Sequence, residues 1–281
     1  MPWGMNFWTP QTGHMGDGWV YNYTANRIRG FKQTHQPSPW MNDYGQFALM
    51  PTTGAHVFRE DDRASFFNHK AETALPYYYQ VYLADYDINT ELVPTERAAM
   101  FRFTFPENSQ SCVVVDALDR GSSVTIIPAE RKIVGYSTKN SGGVPGNFKN
   151  YFVIVFDKPF TYTAAVPNGD IRTAELEATG NHAGAIIGFA TRKGEQVHAR
   201  VASSFISAEQ AELKIDGLEK YQLYVDGKKQ EGTELALEPA THSVVVKYLS
   251  ETGKTDSLKV SVDTDQEGSI SLKQDTKSYI L

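Results

Sequence analysis

The sequence contains a single cysteine, Cys112, among 281 residues. One cysteine excludes an internal disulfide and a cysteine-based zinc site. Cys112 stands among alternating apolar residues in "SCVVVDAL". We therefore interpret it as a small buried apolar side chain and not as a nucleophile.

Long apolar runs and basic blocks are also missing. No apolar stretch approaches the roughly 18 residues that a membrane span requires, so we expect no membrane span. The opening "MPWGMNFW" shows neither the basic nor the apolar region of a signal peptide. The formal net charge is −6 and no dense Lys/Arg cluster occurs. Nucleic acid is therefore not an expected partner, because phosphate binding needs a basic face.

The motifs of several common enzyme classes are absent as well. The sequence has no G-x-S-x-G, P-loop, G-x-G-x-x-G or H-E-x-x-H pattern. The stretch "FFNHKAET" offers His69 and Glu72, but no second partner at metal-ligand spacing. The charge run "REDDR", from Arg59 to Arg63, is typical of a solvated turn. Asp116 follows a strand-like run, where a turn role is expected.

The patterns that are present predict an all-β protein. Short apolar or alternating runs separated by turn residues dominate, and helical periodicity is nearly absent. Residues 77–105 read as three strands. "YFVIVF" is continuously apolar from Tyr151 to Phe156, which favours a strand buried on both faces. "AGAIIGFATRKGEQVHARVASSFIS" predicts a hairpin that turns at "TRKGE", with Gly194 supplying a positive φ.

A domain boundary is predicted between residues 213 and 217. Ser207 and Gln210 form a capping-box pattern that starts a short helix, which should stop at Asp216-Gly217. From there to Leu281 the sequence has no Arg, Trp, Phe, Met or Cys. Asp226-Gly227 predicts a hairpin, and "SVVVKYL" should pair with "SLKVSVDT". We predict two domains, 1–213 and 217–281, the second a small β module.

The aromatic residues suggest a carbohydrate site. All four tryptophans, Trp3, Trp8, Trp19 and Trp40, lie in the first forty residues. The stretches "GDGWVYNY" and "HQPSPWMNDYG" surround Trp19 and Trp40 with Gly, Asn, Asp and His. Flat rings beside polar groups are what sugar sites use. The alternative is that these rings cover a sheet edge or a domain interface. His35 has two interpretations too, as a ligand or acid/base group or as a hydrogen-bonded structural residue.

Several ordered blocks resemble the N-terminal domain of glycoside hydrolase family 92, the exo-acting α-mannosidases common in gut Bacteroidetes. The blocks are "PWGMNFWTPQTG", "IRGFKQTHQPSPWMNDYGQFALMPTTG", "FFNHKAETALPYYYQVYLADYDINTELVPTERAAMFRFTFP" and "VASSFISAEQAEL", which together cover about residues 1–213. The third contains the pattern H-x-x-E-x-A-x-P-x-Y-Y. The tail, from about Leu218, is similar to the small β domain at the front of Bacteroidetes prolyl-oligopeptidase-type peptidases.

The resemblance implies a fold and a division of labour. The fold is a large antiparallel β-sandwich of the mutarotase-like supersandwich type, followed here by a small immunoglobulin-like β-sandwich module. Family members are inverting and calcium-dependent, and their acid, base and most calcium ligands come from a following helical domain. We therefore expect no catalytic residue, metal ligand or cofactor in this chain. The abrupt start and the change of character after Ser207 also indicate truncation. The family is secreted, so a periplasmic or cell-surface location is expected.

The resemblance also implies a substrate-binding set. In the family the sandwich lends loops to the rim of the active centre, and "HQPSPWMNDYG" corresponds to one of them. His35 matches the family pattern, whereas the Pro-Ser-Pro-Trp that follows replaces a Gly- and Ser-rich stretch and points to a different sugar or linkage. The expected substrate-binding residues are Trp8, Trp19, His35, Trp40, Asn42 and Asp43.

Four hypotheses for function follow. The first is a non-catalytic sandwich of an α-mannosidase-like protein, inactive alone and with weak binding of α-mannoside glycans. The second is a stand-alone carbohydrate-binding module. The third is an inactive fragment with an exposed apolar face where the missing helical catalytic domain would dock. The fourth is a peptidase-related scaffold, which rests on the tail alone and lacks a Ser/His/Asp arrangement.

Overall fold

The computed structural model divides the chain into two compact units, Met1–Ile215 and Asp216–Leu281. It describes residues 6–15, 20–34, 44–95, 98–140, 142–216, 222–230, 234–237, 241–249, 255–263, 268–271, 273–274 and 279–280. In this part of the chain almost every regular element is a strand, as an all-β fold requires. No helix among these residues has the length and apolar character to cross a bilayer.

The first unit contains eighteen described strands and one α-helix. In chain order the strands are β1 (Phe7–Gln11), β2 (Arg27–Ile28), β3 (Gly30–Thr34), β4 (Phe47–Thr53), β5 (Ser65–Phe66), β6 (Glu72–Leu75), β7 (Tyr78–Leu83), β8 (Ile88–Pro94), β9 (Ala98–Phe105), β10 (Asn108–Asp116), β11 (Ser122–Ile127), β12 (Lys132–Ser137), β13 (Asn150–Phe156), β14 (Tyr162–Pro167), β15 (Arg172–Thr173), β16 (Glu177–Gly180), β17 (Ala183–Thr191) and β18 (Glu195–Ser204). The helix is α1 (Ala208–Asp216), and short 3-10 turns lie at His69–Ala71 and Pro128–Glu130.

These strands form two large antiparallel sheets. Sheet A has seven strands in the order β1-β3-β4-β10-β17-β14-β15, and sheet B has nine in the order β16-β11-β12-β13-β18-β9-β8-β7-β6. The three strands predicted within residues 77–105 are β7, β8 and β9, which are neighbours in sheet B. The predicted all-β sandwich is confirmed.

The core lies between the two sheets because each strand buries one face. In β9, Phe101, Phe103 and Phe105 are buried at alternate positions. Phe47 of sheet A stacks on Phe152 of sheet B, with ring centroids 4.4 Å apart. Each such side chain contributes roughly 1.5–3 kcal/mol on burial. This shared aromatic layer holds the sheets face to face.

Strand β13 is covered on both faces, as "YFVIVF" predicts. Phe152 and Ile154 point into the main core. Val153, on the other face, is buried against Ala202 and against Ala211 of α1. The helix therefore packs on the outer face of sheet B. Its start matches the capping prediction, because the Ser207 hydroxyl accepts a hydrogen bond from the Gln210 backbone N–H at 3.2 Å.

The predicted hairpin across "TRKGE" is wrong. Gly194 has the expected positive φ of 76°. Strand β17, however, pairs with β10 and β14 in sheet A, whereas β18 pairs with β9 and β13 in sheet B. The turn therefore carries the chain from one sheet to the other. Both strands are buried, and each completes its ladder with strands that are distant in sequence.

A segment at residues 54–64 covers the outer face of sheet A. It contains the turn predicted for "REDDR", in which Arg59, Asp61 and Asp62 are exposed but Arg63 is buried. The Phe58 ring lies over Gly184 of β17. Arg63 and Asp116 are each only 1% exposed, and the Arg63 Nη2 and Asp116 Oδ2 atoms are 2.7 Å apart. Asp116 also accepts a hydrogen bond from the Leu118 backbone N–H, which is the predicted turn role. The charge run thus ends in a buried ion pair.

Cys112 has the environment that its neighbours predict. It lies in β10 and is 1% exposed. Burial raises the pKa of its thiol to about 12. The thiolate form needed for nucleophilic chemistry is therefore disfavoured.

The second unit is also built of antiparallel strands. These are β19 (Gln222–Val225), β20 (Lys228–Gln230), β21 (Glu234–Leu237), β22 (Thr241–Leu249), β23 (Thr255–Asp263), β24 (Gly268–Ser271), β25 (Lys273–Gln274) and β26 (Tyr279–Ile280). Four of them form a sheet in the order β20-β19-β22-β23. The predicted turn at Asp226-Gly227 joins β19 to β20, with positive φ at both residues. The predicted pairing of "SVVVKYL" with "SLKVSVDT" is the β22–β23 ladder.

Candidate functional site

The predicted substrate-binding residues fall largely outside the described part of the chain. Trp19, His35, Trp40, Asn42 and Asp43 belong to stretches that the structure does not describe. Trp8 lies in β1. The structure does describe the residues at both ends of the segment 35–43, and these define how that segment is anchored.

Trp8 is partly buried against the core. Its ring meets Phe101 and Phe47 edge to face, with centroids 4.9 Å and 5.6 Å away. Its indole Nε1–H donates to Asn6 Oδ1 at 2.7 Å. These contacts hold the indole ring against the core. Its role in sugar binding stays a prediction.

A buried polar network anchors both ends of segment 35–43. Gln33, which is fully buried, donates through Nε2 to Asn6 Oδ1 at 2.8 Å and to Ser203 Oγ at 2.9 Å. At the other end, Asn150 Nδ2 donates to the Gly45 carbonyl. Gly45 has a φ of 60°, and a Cβ there would lie 2.1 Å from Asn150 Cβ. The described residues on either side of segment 35–43 are therefore held in place, since buried amides keep their geometry when paired.

One acceptor of this network is unused. Asn150 is 1% exposed, and its Oδ1 has no hydrogen-bond partner among the described residues. An unpaired buried amide oxygen costs free energy. It is therefore a position where a hydroxyl or N–H donor would be favoured.

Three aromatic residues form a row that starts at Tyr44, the neighbour of Gly45 in this network. The Tyr44 ring packs against Phe148 with centroids 6.1 Å apart, and Phe148 packs against Phe205 at 5.5 Å. Phe205 is 37% exposed and its neighbour Ile206 is 71% exposed. Sequence reasoning missed this row. Tyr44 and Phe205 do lie inside the stretches that carry the family resemblance, whereas Phe148 has no such signal.

The H-x-x-E-x-A-x-P-x-Y-Y pattern forms a second polar cluster. Glu72 is mostly buried and accepts hydrogen bonds from Tyr79 Oη at 2.6 Å and from His69 Nδ1. His69 Nε2 donates to the Tyr23 carbonyl at 2.7 Å, and the Tyr23 ring stacks on the imidazole at 4.0 Å. Tyr21 Oη lies 3.5 Å from both carboxylate oxygens.

The charges of this cluster indicate a structural clamp. The hydrogen bond to Glu72 and the contact with the Tyr23 carbonyl raise the pKa of His69. Burial and the Glu72 carboxylate raise the pKa of Tyr21 to about 12 and that of Tyr79 further. His69, Tyr79 and Tyr21 thus converge on the Glu72 carboxyl group from three sides. The cluster ties residues 21–23 to edge strand β6.

The described residues do not fit a calcium site. Calcium needs six to eight oxygen ligands. No three of the His, Cys, Asp and Glu side chains in the described ranges converge on a common point. The best-buried carboxylates face cations instead, as in Asp116–Arg63 and Glu91–Arg102.

Comparison with known proteins supports the sequence resemblance. The family model of the glycosyl hydrolase family 92 N-terminal domain matches residues 1–204. The comparison with curated proteins gave no match.

Solved structures of two proteins from Bacteroides thetaiotaomicron are similar to this chain. The family GH92 inverting mannosidase BT2199 is 34% identical, with a TM-score of 0.74, and the match covers 94% of this chain and 40% of the mannosidase. The GH92 α-mannosidase BT3965 is 27% identical, with a TM-score of 0.66, over 78% of this chain and 32% of that protein. BT3965 in complex with mannoimidazole matches at 26% identity and the same TM-score, over 80% and 35%.

The chain therefore spans less than half the length of these mannosidases. The match of the family model covers most of the chain and includes both sheets of the sandwich. The chain belongs to glycoside hydrolase family 92, and its residues 1–204 are the N-terminal domain of that family.

Proposed function

We propose that this chain is the mannoside-recognising β-sandwich of an exo-α-mannosidase-like protein, and that it binds α-mannosides weakly without hydrolysing them. The observation that carries the proposal is the buried network of Gln33, Asn6, Ser203 and Asn150. It fixes both ends of the segment that contains His35, Trp40, Asn42 and Asp43. A preformed anchor lowers the ordering cost of binding.

The relatives support mannose as the sugar. BT2199 is an inverting mannosidase, and BT3965 has been solved with mannoimidazole. Trp19, Trp40 and Trp8 would supply flat apolar surface to the sugar, and His35, Asn42 and Asp43 would pair with its hydroxyls. The Pro-Ser-Pro-Trp sequence after His35 would tune the linkage that is recognised.

The electrostatics of the described carboxylates supports binding without hydrolysis. An inverting hydrolase needs a carboxylic acid that stays protonated near neutral pH, which requires a raised pKa. Among the described acidic residues with a clear change, the pKa is lowered in every case, by cationic or hydrogen-bonding neighbours. These residues are Asp61, Glu91, Asp116, Glu195, Glu209 and Asp226.

One experiment tests both halves of the proposal. The purified chain is mixed with α-1,2-mannobiose and calcium, while free mannose and ligand-observed NMR are followed together. We expect saturable broadening of the sugar signals and no release of mannose above a protein-free control. Trp40→Ala should reduce the broadening. Tyr77→Ala, which removes a ring that is 67% exposed at the β6–β7 turn, is the matched control and should leave it unchanged.

Released mannose would overturn the non-catalytic half of the proposal. Broadening that is undiminished in Trp40→Ala would overturn the assignment of segment 35–43 to the sugar.

A second candidate function is docking onto the helical domain of the family. Val93 and Met100 are cross-strand partners on the outer face of sheet B, and each is 42% exposed. They continue the face on which α1 packs. A shared apolar face of this kind suits a protein partner. For either function we expect action in the periplasm or at the cell surface, where glycans are degraded.

A further inference from the structure

A cavity of about 740 Å³ lies beside the segment that covers sheet A. None of its lining residues belongs to the network that anchors segment 35–43. Phe58 forms part of its wall and is itself seated over Gly184, where a Cβ would come within 2.2 Å of the ring. The volume falls within the roughly 300–1,000 Å³ of ligand-binding pockets.

A histidine held by a buried carboxylate opens onto this cavity. His182 Nε2 and Asp116 Oδ1 are 2.6 Å apart, and Asp116 is in turn paired with Arg63. Phe58 lies against the imidazole with centroids 5.1 Å apart. His182 is 21% exposed, and its Nδ1 has no partner among the described residues. Asp116 therefore fixes the orientation of the imidazole ring through Nε2, and Nδ1 remains available for a ligand.

The other polar groups are arranged around it. Asn181 and Asp62 line the cavity, and their side-chain polar atoms have no partner in the described part of the chain. Arg59 lines it as well and has none there either. Met15 adds apolar surface. The cavity thus offers an amide, a carboxylate, a guanidinium and an imidazole next to a thioether.

The charge balance selects the chemistry of the ligand. Two of the three carboxylates in the lining are already engaged. Glu60 accepts from Gln11 Nε2 at 2.6 Å and from the Met15 backbone N–H at 2.8 Å, and Asp61 pairs with Arg29 and His14. Arg59 and Asp62 then offset each other. Three carboxylates against one guanidinium still leave the lining without a surplus of positive charge for an anion, and an apolar ligand would leave the polar groups unpaired. A neutral polyhydroxyl compound carries no negative charge and has hydroxyl groups that can pair with the polar groups of the lining.

We propose that this cavity is a second carbohydrate site, which binds a neutral hexose-type oligosaccharide through His182 Nδ1, Asn181 and Asp62. Hydroxyl groups donate to Asp62 and accept from the Asn181 amide, while the imidazole nitrogen pairs with a further hydroxyl. The C–H face of the sugar packs on Met15. This site needs neither segment 35–43 nor the mannosidase activity of the relatives, so it stands apart from the proposed function.

The test follows the imidazole signals of the histidines by NMR in the full chain, with His182 assigned through His182→Gln. Three probes are titrated: α-1,2-mannobiose, cellobiose and inorganic phosphate. We expect saturable shifts of the His182 signals with at least one disaccharide and none with phosphate. Asn181→Ala combined with Asp62→Ala should weaken the response about tenfold, the effect of losing one to two hydrogen bonds.

The matched control is His198→Gln, which disrupts a His–Asp pair of similar geometry that lies outside this cavity (His198 Nδ1 to Asp157 Oδ2, 2.7 Å). It should leave the sugar response of His182 intact. Trp40→Ala should also leave it intact, so that failure here and failure of the proposed function are distinguishable. The inference is overturned if phosphate shifts the signals in place of sugar, if neither disaccharide shifts them, or if the double variant binds sugar as tightly as the parent.

Discussion

Asp116 combines near-complete burial with two cationic neighbours. Burial alone would raise the pKa of its carboxyl group, but the Arg63 charge and the His182 hydrogen bond lower it well below the usual range. The anion is thus stable inside the protein only because both partners are present. Removing one partner of a buried pair leaves an uncompensated charge, which is costly.

We predict that Asp116→Asn lowers the free energy of unfolding of the first unit by about 3–5 kcal/mol, because Arg63 is left buried and unpaired. Urea unfolding followed by tryptophan fluorescence measures it, since all four tryptophans lie in the first forty residues. Asp157→Asn is the control. Its carboxylate is 40% exposed beside His198, so the loss should stay below about 1 kcal/mol. Equal losses in the two variants would contradict a special role for the buried pair.

His182 gives this pair a dependence on pH. Burial lowers the pKa of His182, but the hydrogen bond and charge of Asp116 outweigh it, so the net shift is upward. A folded pKa above the ordinary value of about 6.5 stabilises the fold below that pH, and the contribution is lost as the pH rises through the folded pKa.

We predict that the free energy of unfolding of the first unit declines as the pH rises above about 6.5, and that His182→Gln flattens this decline. Urea unfolding at a series of pH values measures it. His69→Gln is the comparison, because the pKa of His69 is also raised but its side chain is more exposed, at 30%. A profile that His182→Gln leaves unchanged would assign the pH dependence to other groups.

The buried pair also shows what residue types alone do not reveal. Arg63 and Asp116 lie far apart in the sequence, and each has a local context that predicts exposure or a turn. Their burial results from the path of residues 54–64 over sheet A, which is a tertiary event. The burial of Cys112, by contrast, is predictable, because it follows from the alternation within its own strand.

At the scale of the elements, turns defined by a local conformation are predictable. Gly194, Asp226 and Gly227 all have the positive φ that their sequences require. The partner of a strand is a different matter. "TRKGE" has the chemistry of a hairpin turn, yet β17 and β18 belong to different sheets. A turn sequence specifies the local bend, whereas the pairing depends on distant strands that offer better-matched faces.

The packing of the Phe58 ring on Gly184 of β17 leads to a prediction about stability. A Cβ at Gly184 would lie 2.2 Å from the Phe58 ring and 2.7 Å from the Val115 carbonyl. Gly184→Ala should therefore destabilise the first unit by about 1–3 kcal/mol through overpacking. Gly146→Ala is the control, because a Cβ added at that glycine would meet nothing within 4 Å and its φ is ordinary. Tryptophan-detected urea unfolding distinguishes them, and a neutral Gly184→Ala would show that the segment shifts without cost.

At the scale of the whole molecule, the sandwich and its family could be predicted from sequence, but the candidate site only in part. The strand pattern and the family blocks locate segment 35–43. They do not reveal Gln33, Asn150 or Ser203, which meet there from β3, β13 and β18. Polar residues in strands carry no signal of which neighbour they will meet. The aromatic row from Tyr44 through Phe148 to Phe205 is missed because its three residues come from separate loops that only the tertiary fold brings together.

The outer face of sheet B carries the last prediction. Val93 and Met100 are paired across β8 and β9, are each 42% exposed, and lie beside the face covered by α1. If this face docks a helical domain, Val93→Ser combined with Met100→Ser should reduce the binding of an apolar fluorescent dye and any self-association seen by light scattering, while mannobiose binding is retained. Leu176→Ser, at a residue 40% exposed between β15 and β16, is the control and should change neither readout. Equal dye binding in the double variant and the parent would assign the exposed apolar surface elsewhere and remove the support for docking on this sheet.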